Sequence, residues 1–192
     1  MSLPLLLNID TPDKVSGAAY LQPVGECPSV IADAFTDGRL RVGLVWSGNP
    51  QHRNDARRSI APRLLAPLLR AAHVNFFALQ RHDAGTTLHE SLRDGVCDLG
   101  AALHTFNDTA HALRKLDLLV TVDTSVAHLS GALGVPTMLL IPFVPDWRWM
   151  VSRSDTPWYR SAEIVRQESL FEWAPVISRV RARLDTLDAV RA

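Results

Sequence analysis

The chain has 192 residues, the length of one ordinary domain, and its 47% hydrophobic and 21% charged residues are typical of a globular protein with an apolar core. Twenty basic residues balance twenty acidic ones, which argues against a nucleic-acid-binding protein because such proteins normally carry a basic excess. No apolar run reaches the roughly eighteen residues of a membrane-spanning helix, so no membrane span is expected.

The two cysteines, Cys27 and Cys97, lie far apart and lack the spacing of metal ligands. We therefore expect no metal site built on them and a reducing, cytoplasmic compartment. Cys97 is expected in the core, where a free cysteine behaves as a small apolar residue.

Residues 1–40 are predicted to form a lead-in or interdomain segment, because four prolines and three glycines interrupt any regular pattern. One short helix is predicted near Ser29–Phe35. The compact domain is predicted to begin at Arg39 or Arg41 and to occupy residues 41–192.

The first predicted strand is the apolar run Val42–Trp46, which leads directly into Ser47–Pro50. The small and turn-forming residues of Ser47–Pro50 would let the backbone approach a ligand closely. The following run, Gln51–Ser59, carries three arginines. Such a polar run is usually a solvated loop, but at a strand end its guanidinium groups could instead bind a phosphate.

A helix is predicted over Pro62–Ala72, with a kink or break at Pro67. The second strand is predicted over Val74–Gln80, and Gln80 at its end is interpreted either as a satisfied core residue or as a contact to a base or ribose. Three shorter elements are predicted next: a helical piece within Leu88–Arg93, a strand over Val96–Leu99, and a helix capped by Asn107 or Asp108 that runs through Leu116.

The most regular stretch of the sequence predicts a strand, a helix and a second strand. Leu118–Val122 is an apolar β-branched run, apolar residues at helical spacing follow, and Thr137–Ile141 is apolar again. Gly134 is placed to end the helix, and Pro136 blocks its continuation. The two continuous apolar strands fit a parallel sheet that is covered on both faces.

The polar residues at the start of this helix have two interpretations. An Asp or Thr before a helix is usually an N-cap, which would account for Asp123 or Thr124. Capping does not account for Ser125 and His128 on the same end. Because a helix N-terminus binds anions through free amides and its dipole, we favour a phosphate site.

The residues after this unit predict an aromatic loop, an edge strand and a final helix. Trp147, Trp149 and Trp158 lie in a proline-punctuated segment, which predicts either a loop packed on its own aromatics or a lid or rim over a ligand. The edge strand is predicted over Ile164–Arg166, and an amphipathic helix is predicted over Trp173–Leu187.

The alternation of five or six strands with helices predicts a doubly wound, Rossmann-like α/β fold with a parallel sheet. No G-x-G-x-x-G or Walker A pattern is present, which weakens assignment to dinucleotide-binding or P-loop proteins.

Four sequence segments resemble the carboxyl-terminal, donor-binding half of GT-B glycosyltransferases. They are GLVWSGNPQHRNDARRSI, FFALQ, DLLVTVDTSVAHLSGALGVPTMLLIPFVPDWRW and DTPWY. The resemblance covers about residues 40 to 175. It is to the family 9, heptosyltransferase-like domain of bacterial tetratricopeptide-repeat proteins, and more distantly to O-linked N-acetylglucosamine transferases.

The resemblance implies a site for a nucleotide-diphosphate sugar. It leaves open whether the nucleotide is ADP, UDP or GDP. Arg58 and His128 would stabilise the leaving diphosphate without a metal or another cofactor, and Gln80 would face the nucleoside. The implied binding residues are Ser47, Gly48, Asn49, Arg58, Gln80, Asp123, Thr124, Ser125 and His128.

The resemblance also implies inverting transfer to an acceptor held by a second domain, which would supply the general base and which this chain lacks. That acceptor-binding domain, or tetratricopeptide repeats, would belong to a longer protein. A missing partner domain would leave an apolar face exposed, so a homo-oligomer is also open. Two alternatives are a non-catalytic nucleotide-binding or interaction module and a nucleotide-sugar epimerase of related fold.

Overall fold

The computed structural model describes residues 6–35, 38–81 and 88–191, so residues 1–5 and 36–37 of the predicted lead-in lie outside the described residues. One six-stranded sheet carries the fold. Its strands are β1 (Leu40–Val45), β2 (Val74–Ala78), β3 (Val96–Asp98), β4 (Leu118–Val122), β5 (Thr137–Ile141) and β6 (Ala162–Arg166). Their order in the sheet is β3-β2-β1-β4-β5-β6, and every neighbouring pair is parallel. The predicted doubly wound, Rossmann-like α/β fold is confirmed.

Helices and short 3-10 turns connect these strands. The α-helices are α1 (Ser29–Ala32), α2 (Asp55–Arg58), α3 (Glu90–Arg93), α4 (Phe106–Lys115), α5 (Ser125–Leu133) and α6 (Ala174–Arg191). The 3-10 turns are Pro12–Lys14, Pro62–Leu65, Leu68–Arg70, Gly100–Ala102 and Trp147–Trp149. Within the described ranges, none of the helices is both long enough and apolar enough to cross a bilayer.

The strand order reverses between β1 and β4, which pair with Val42 opposite Leu118 and Val45 opposite Thr121. The chain leaves these two adjacent strands in opposite directions, so a crevice opens beyond their carboxyl ends. The loop that starts at Ser47 and the turn at Asp123 therefore face each other. Ligands of doubly wound parallel sheets bind in the crevice at this position.

The unit β4-α5-β5 has the bounds that the sequence predicts. All residues of β4 and β5 are buried, including Thr121 and Thr137. The helix between them ends at Leu133, because Gly134 adopts a left-handed backbone with φ of 74°. The hydroxyls of Ser130 and Thr137 share a buried hydrogen bond of 2.7 Å. Two covered strands and a helix thus form a rigid base for the crevice.

The predicted helix over Pro62–Ala72 is wrong. Two 3-10 turns, Pro62–Leu65 and Leu68–Arg70, replace it, and Pro67 separates them. A proline inside a helix lacks an N–H and its ring clashes with the preceding turn, so the segment cannot remain one helix. Leu65 and Leu68 are nevertheless buried against the sheet.

The predicted cap of α4 is also wrong. Thr105 is the N-cap: its hydroxyl accepts a hydrogen bond from the Asp108 amide at 3.1 Å, and the Asp108 carboxylate accepts one from the Thr105 amide at 2.8 Å. This reciprocal pair is a capping box. Asn107 instead pairs with the backbone of Val24, at 2.8 and 2.9 Å.

Cys97 is exposed rather than buried in the core, so that prediction is wrong as well. It lies in β3, the three-residue edge strand of the sheet. Of the three residues in β3, only Val96 is buried. A short edge strand offers too little cover to enclose its side chains.

The lead-in packs against the sheet domain. The amides of Tyr20 and Leu21 donate to the carbonyl of Ala132 at 2.8 and 3.0 Å. Ile31 in α1 is fully buried, and the ring of Phe35 stacks on Phe77 with centroids 4.2 Å apart. Ile31 and Phe35 therefore belong to the same core as Phe77 of the sheet.

Candidate functional site

A cleft of about 910 Å³ opens at the carboxyl ends of the central strands. All nine residues proposed from the sequence line this cleft, together with residues of the β3–α4 and β5–β6 connections. The nine are Ser47, Gly48, Asn49, Arg58, Gln80, Asp123, Thr124, Ser125 and His128. Residues that follow five successive strands, β1 to β5, thus meet at one place, where the strand order reverses.

The loop after β1 is held in place by polar contacts to its neighbours. The Ser47 amide donates to the Gln80 side-chain oxygen at 3.0 Å, which ties the end of β1 to the end of β2. The Gly48 amide donates to the hydroxyl of Ser59 at 3.1 Å. Asn49 accepts a hydrogen bond from the amide of Gln51 at 2.9 Å, an Asx turn that shapes the cleft wall.

Arg58 spans the crevice between the two central strands. Its Nη1 donates to the Asp123 carbonyl at 2.8 Å, and its Nε donates to the Asp55 carboxylate at 3.1 Å. Only 14% of its side chain is exposed. Asp55 also accepts from Ser59 at 3.0 Å, so the guanidinium is fixed from both sides. A positive charge is therefore held beside the start of α5.

Gly48 makes this position of Arg58 possible. A Cβ at Gly48 would collide with the Arg58 guanidinium and would lie 2.6 Å from the Asp55 carboxylate. Any side chain here would push the guanidinium away from the crevice. Small residues are predicted at this turn from the sequence, and the contact with Arg58 is the steric reason for the glycine.

The N-terminus of α5 faces the cleft without a side-chain cap. Thr124 occupies the N-cap position with an extended backbone, but its hydroxyl makes no capping hydrogen bond and lies 3.5 Å from that of Thr121. Thr124, Ser125 and Val126 line the cleft. The capping interpretation thus fails for Thr124, and the amides and hydroxyls of this turn can hydrogen-bond an anion.

His128 lies one turn into α5 and is contacted on both ring nitrogens. Its Nδ1 is 3.0 Å from the Tyr159 hydroxyl, and its Nε2 is 3.9 Å from the Asp123 carboxylate. The imidazole stacks on Trp149 with centroids 5.3 Å apart and planes 20° apart. These contacts fix the plane of the ring at the cleft wall.

Burial lowers the pKa of His128 below its ordinary value. The carboxylate of Asp123 opposes this shift, Arg148 adds to it, and Asp146 opposes it more weakly. The net effect is a lowered pKa, so the ring is neutral at neutral pH. It can then donate one hydrogen bond while accepting another.

The tryptophans of the β5–β6 connection divide between core and surface. Trp149 is 1% exposed and packs under His128, whereas Trp147 is 70% exposed and meets Trp158 edge-to-face at 6.4 Å. The residues of this turn that line the cleft are Asp146 and Arg148, an ion pair of 2.6 Å. The loop therefore packs on its own aromatics and presents a charged pair to the cleft.

Several residues of this site were not predicted from the sequence. Arg148 and Tyr159 could have been noticed, because both lie in the loop that follows β5. The wall formed by Leu103, Thr105 and Phe106 had no signal, since the segment between the 3-10 turn Gly100–Ala102 and α4 has no hydrophobic period. Phe106 lines the cleft with 63% of its surface exposed, which gives the cleft an apolar face.

The cleft therefore combines two surfaces of different chemistry. Arg58, Arg148 and the start of α5 line it and suit an anion. Leu103 and Phe106 line it as well and suit an apolar or aromatic ring. A ligand with a charged centre and a flat ring would match both.

The chain is similar in sequence to one curated bacterial protein. No family model matches the chain. Over 152 residues it is 27% identical to Protein FlbA of Caulobacter vibrioides. The aligned region covers 75% of this chain and 25% of that protein. The chain thus spans about a quarter of the length of this curated relative.

Two solved structures have a similar fold. E. coli ADP-heptose LPS heptosyltransferase II superposes with a TM-score of 0.54 and 16% identity, covering 83% of this chain and 51% of that one. The family 9 glycosyl transferase of Veillonella parvula gives a TM-score of 0.62 and 13% identity, covering 86% and 53%. This chain therefore has an α/β fold like that of family 9 glycosyltransferases and spans about half the length of each.

Proposed function

We propose that the chain is the donor-binding, carboxyl-terminal half of a GT-B glycosyltransferase of the family 9 type, and that it binds a nucleotide-diphosphate sugar in the cleft. The observation that carries the proposal is the uncapped start of α5, which faces the fixed guanidinium of Arg58 where the strand order reverses. The fold shared with two glycosyltransferases supports it.

In this proposal the diphosphate lies against the first turn of α5. The amides of that turn and the hydroxyls of Thr124 and Ser125 donate to its oxygens. Arg58 and His128 stabilise the charge that develops on the leaving diphosphate as the bond to the sugar breaks. A guanidinium and a helix N-terminus can supply this stabilisation without a metal ion.

The nucleoside is assigned to the ends of β2 and α4. Gln80 lies at the end of β2 beside Ser47, and the exposed ring of Phe106 offers a flat apolar face on the same cleft. The loop from Ser47 to Asn49 forms the wall opposite α5. The sugar would then project from the diphosphate toward the mouth of the cleft.

The acceptor and the general base are assigned to a domain outside this chain. The chain spans about half of each similar solved protein, and GT-B transfer takes place between two halves. We therefore expect the 192 residues to bind the nucleotide and to transfer no sugar alone. An acceptor-binding domain, with or without tetratricopeptide repeats, would complete the inverting enzyme.

The test is calorimetric titration of the purified chain with ADP, UDP and GDP and with a sugar conjugate of each. We expect saturable binding of one nucleotide, lost in the Asp123→Ala, His128→Ala double variant. His104→Ala is the matched control, because His104 is exposed and does not line the cleft. Equal binding by both variants would contradict the proposed site. Binding with no gain from any sugar would favour a non-catalytic nucleotide-binding module.

A further inference from the structure

We infer that Tyr159 is a positioning residue that holds His128 with its proton on Nε2, so that this nitrogen donates a hydrogen bond into the cleft. The position of this proton is a property of the chain without ligand. The catalytic role of the Nε2–H rests on the proposed function, in which His128 faces the leaving diphosphate.

Tyr159 is held against α5 by close packing. A Cβ at Gly131 would collide with the Tyr159 ring, so this glycine lets the ring lie directly on the helix backbone. The phenol oxygen then reaches Nδ1 of His128 at 3.0 Å, and the two rings meet edge-to-face at 5.8 Å. Tyr159 therefore contacts the histidine from the side away from the Asp123 carboxylate.

The groups around the two ring nitrogens indicate the position of the proton. Nε2 lies 3.9 Å from the Asp123 carboxylate, which can only accept hydrogen bonds. A proton on Nε2 is favoured there, since an unprotonated nitrogen would direct its lone pair at a negative charge. Nδ1 is then the acceptor in the bond with the Tyr159 hydroxyl. The Asp123 carboxylate thus favours this tautomer, and the Tyr159 hydroxyl can serve it by donating to Nδ1.

Tyr159 keeps its proton available for this bond. Burial raises its pKa to about 12, and the neighbouring Tyr20 acts in the same direction. The phenol is therefore protonated at neutral pH. Its one proton can then be donated to Nδ1 of His128, 3.0 Å away.

The consequence for the site is a neutral histidine that acts as a donor. The imidazole is stacked on Trp149 and hydrogen-bonded at Nδ1, so its Nε2–H has one direction. In the opposite tautomer a lone pair at Nε2 would face the phosphate oxygens. Tyr159 thus orients a charge-stabilising donor without contacting the ligand.

The test is nitrogen-15 NMR of the imidazoles in the full chain, labelled at histidine and recorded without nucleotide. The signals of His128 are assigned by their absence from the spectrum of His128→Asn. We expect Nε2 to carry the proton and Nδ1 to show a hydrogen-bonded lone pair. In Tyr159→Phe, which keeps the ring, the Nδ1 signal should move to that of a free lone pair or a tautomer mixture, while the other histidines stay unchanged.

A second variant, Gly131→Ala, should displace the Tyr159 ring and cause the same change at Nδ1 while retaining the hydroxyl. A proton on Nδ1 in the wild type, or an unchanged Nδ1 signal in Tyr159→Phe, would overturn the inference. Because no nucleotide is present, either result is independent of the proposed function. If a nucleotide binds, Tyr159→Phe should weaken it about fivefold, as for one neutral hydrogen bond.

Discussion

Gly48 offers a specific test of the steric arrangement at the cleft. In Gly48→Ala the new methyl group would collide with the Arg58 guanidinium and lie 2.6 Å from the Asp55 carboxylate. Overpacking of this kind costs about 1–3 kcal/mol, and a chain of this length loses about 2–4 °C of Tm per kcal/mol. We therefore expect Tm to fall by about 2–12 °C.

Arg58 is also expected to move away from the Asp123 carbonyl in this variant, so nucleotide affinity should fall with stability. The control is Gly38→Ala, because a Cβ at Gly38 meets nothing within 4 Å. Such an unobstructed change is neutral or slightly stabilising, by up to about 1 kcal/mol.

The assay is a double-mutant cycle measured by thermal unfolding. Once Arg58→Ala has removed the guanidinium, the Asp55 carboxylate loses a partner and can turn aside. Gly48→Ala should then cost less than half of what it costs in the wild type, because contacting residues are not additive. An equal penalty in both backgrounds would refute the reasoning, since the cost would then not come from the contact with Arg58.

Three further predictions concern charge, protonation and capping. Arg58→Gln should weaken nucleoside diphosphate binding about 10- to 100-fold, because a hydrogen bond to a charged group contributes about 1.5–3 kcal/mol. Arg57 is exposed, so Arg57→Gln should leave the affinity unchanged. Equal losses of affinity in the two variants, measured by calorimetry, would argue against a phosphate contact by Arg58. The pKa of His128 is lower in the folded chain than in the unfolded chain. The neutral imidazole therefore contributes to stability above about pH 6.5, the ordinary histidine value. This contribution is lost as the pH falls through that value and then through the folded pKa. Thermal unfolding from pH 7.5 to 5 should therefore show a larger loss for the wild type than for His128→Asn, and parallel curves would contradict this. Thr105→Ala removes half of the capping box and should cost about 1 kcal/mol, or about 2–4 °C of Tm. The control is Thr186→Ala, because the Thr186 hydroxyl donates to the Ala182 carbonyl of its own helix, and its Tm should change little. Equal Tm shifts in the two variants would show that the cap contributes nothing.

The fold was predictable because its central unit has strong local signals. The runs Leu118–Val122 and Thr137–Ile141 are apolar at every position except one threonine each, and Gly134 and Pro136 mark the end of the helix between them. Parallel strands buried on both faces give continuous apolar runs. The crevice followed from the fold, since the carboxyl ends of adjacent parallel strands lie at one edge of the sheet.

The errors have different physical origins. The cap of α4 was misplaced although Thr105 and Asp108 have the local spacing of a capping box, because Asn107 is an equally good cap residue that instead binds the distant backbone of Val24. The bond between His128 and Tyr159 joins residues 31 positions apart. Side chains that meet only after the sheet has formed leave no period in the sequence.

The most direct test of the account is backbone-amide NMR of the nitrogen-15-labelled chain during titration with ADP-, UDP- and GDP-sugars. The account predicts that one of them shifts the amides of Ser125 and Val126 at the start of α5 and the side-chain N–H signals of Arg58, with saturation at a single site. Saturable shifts confined to another surface would contradict the assignment of the donor site. The absence of any shift at saturating concentrations would contradict nucleotide-sugar binding by this chain.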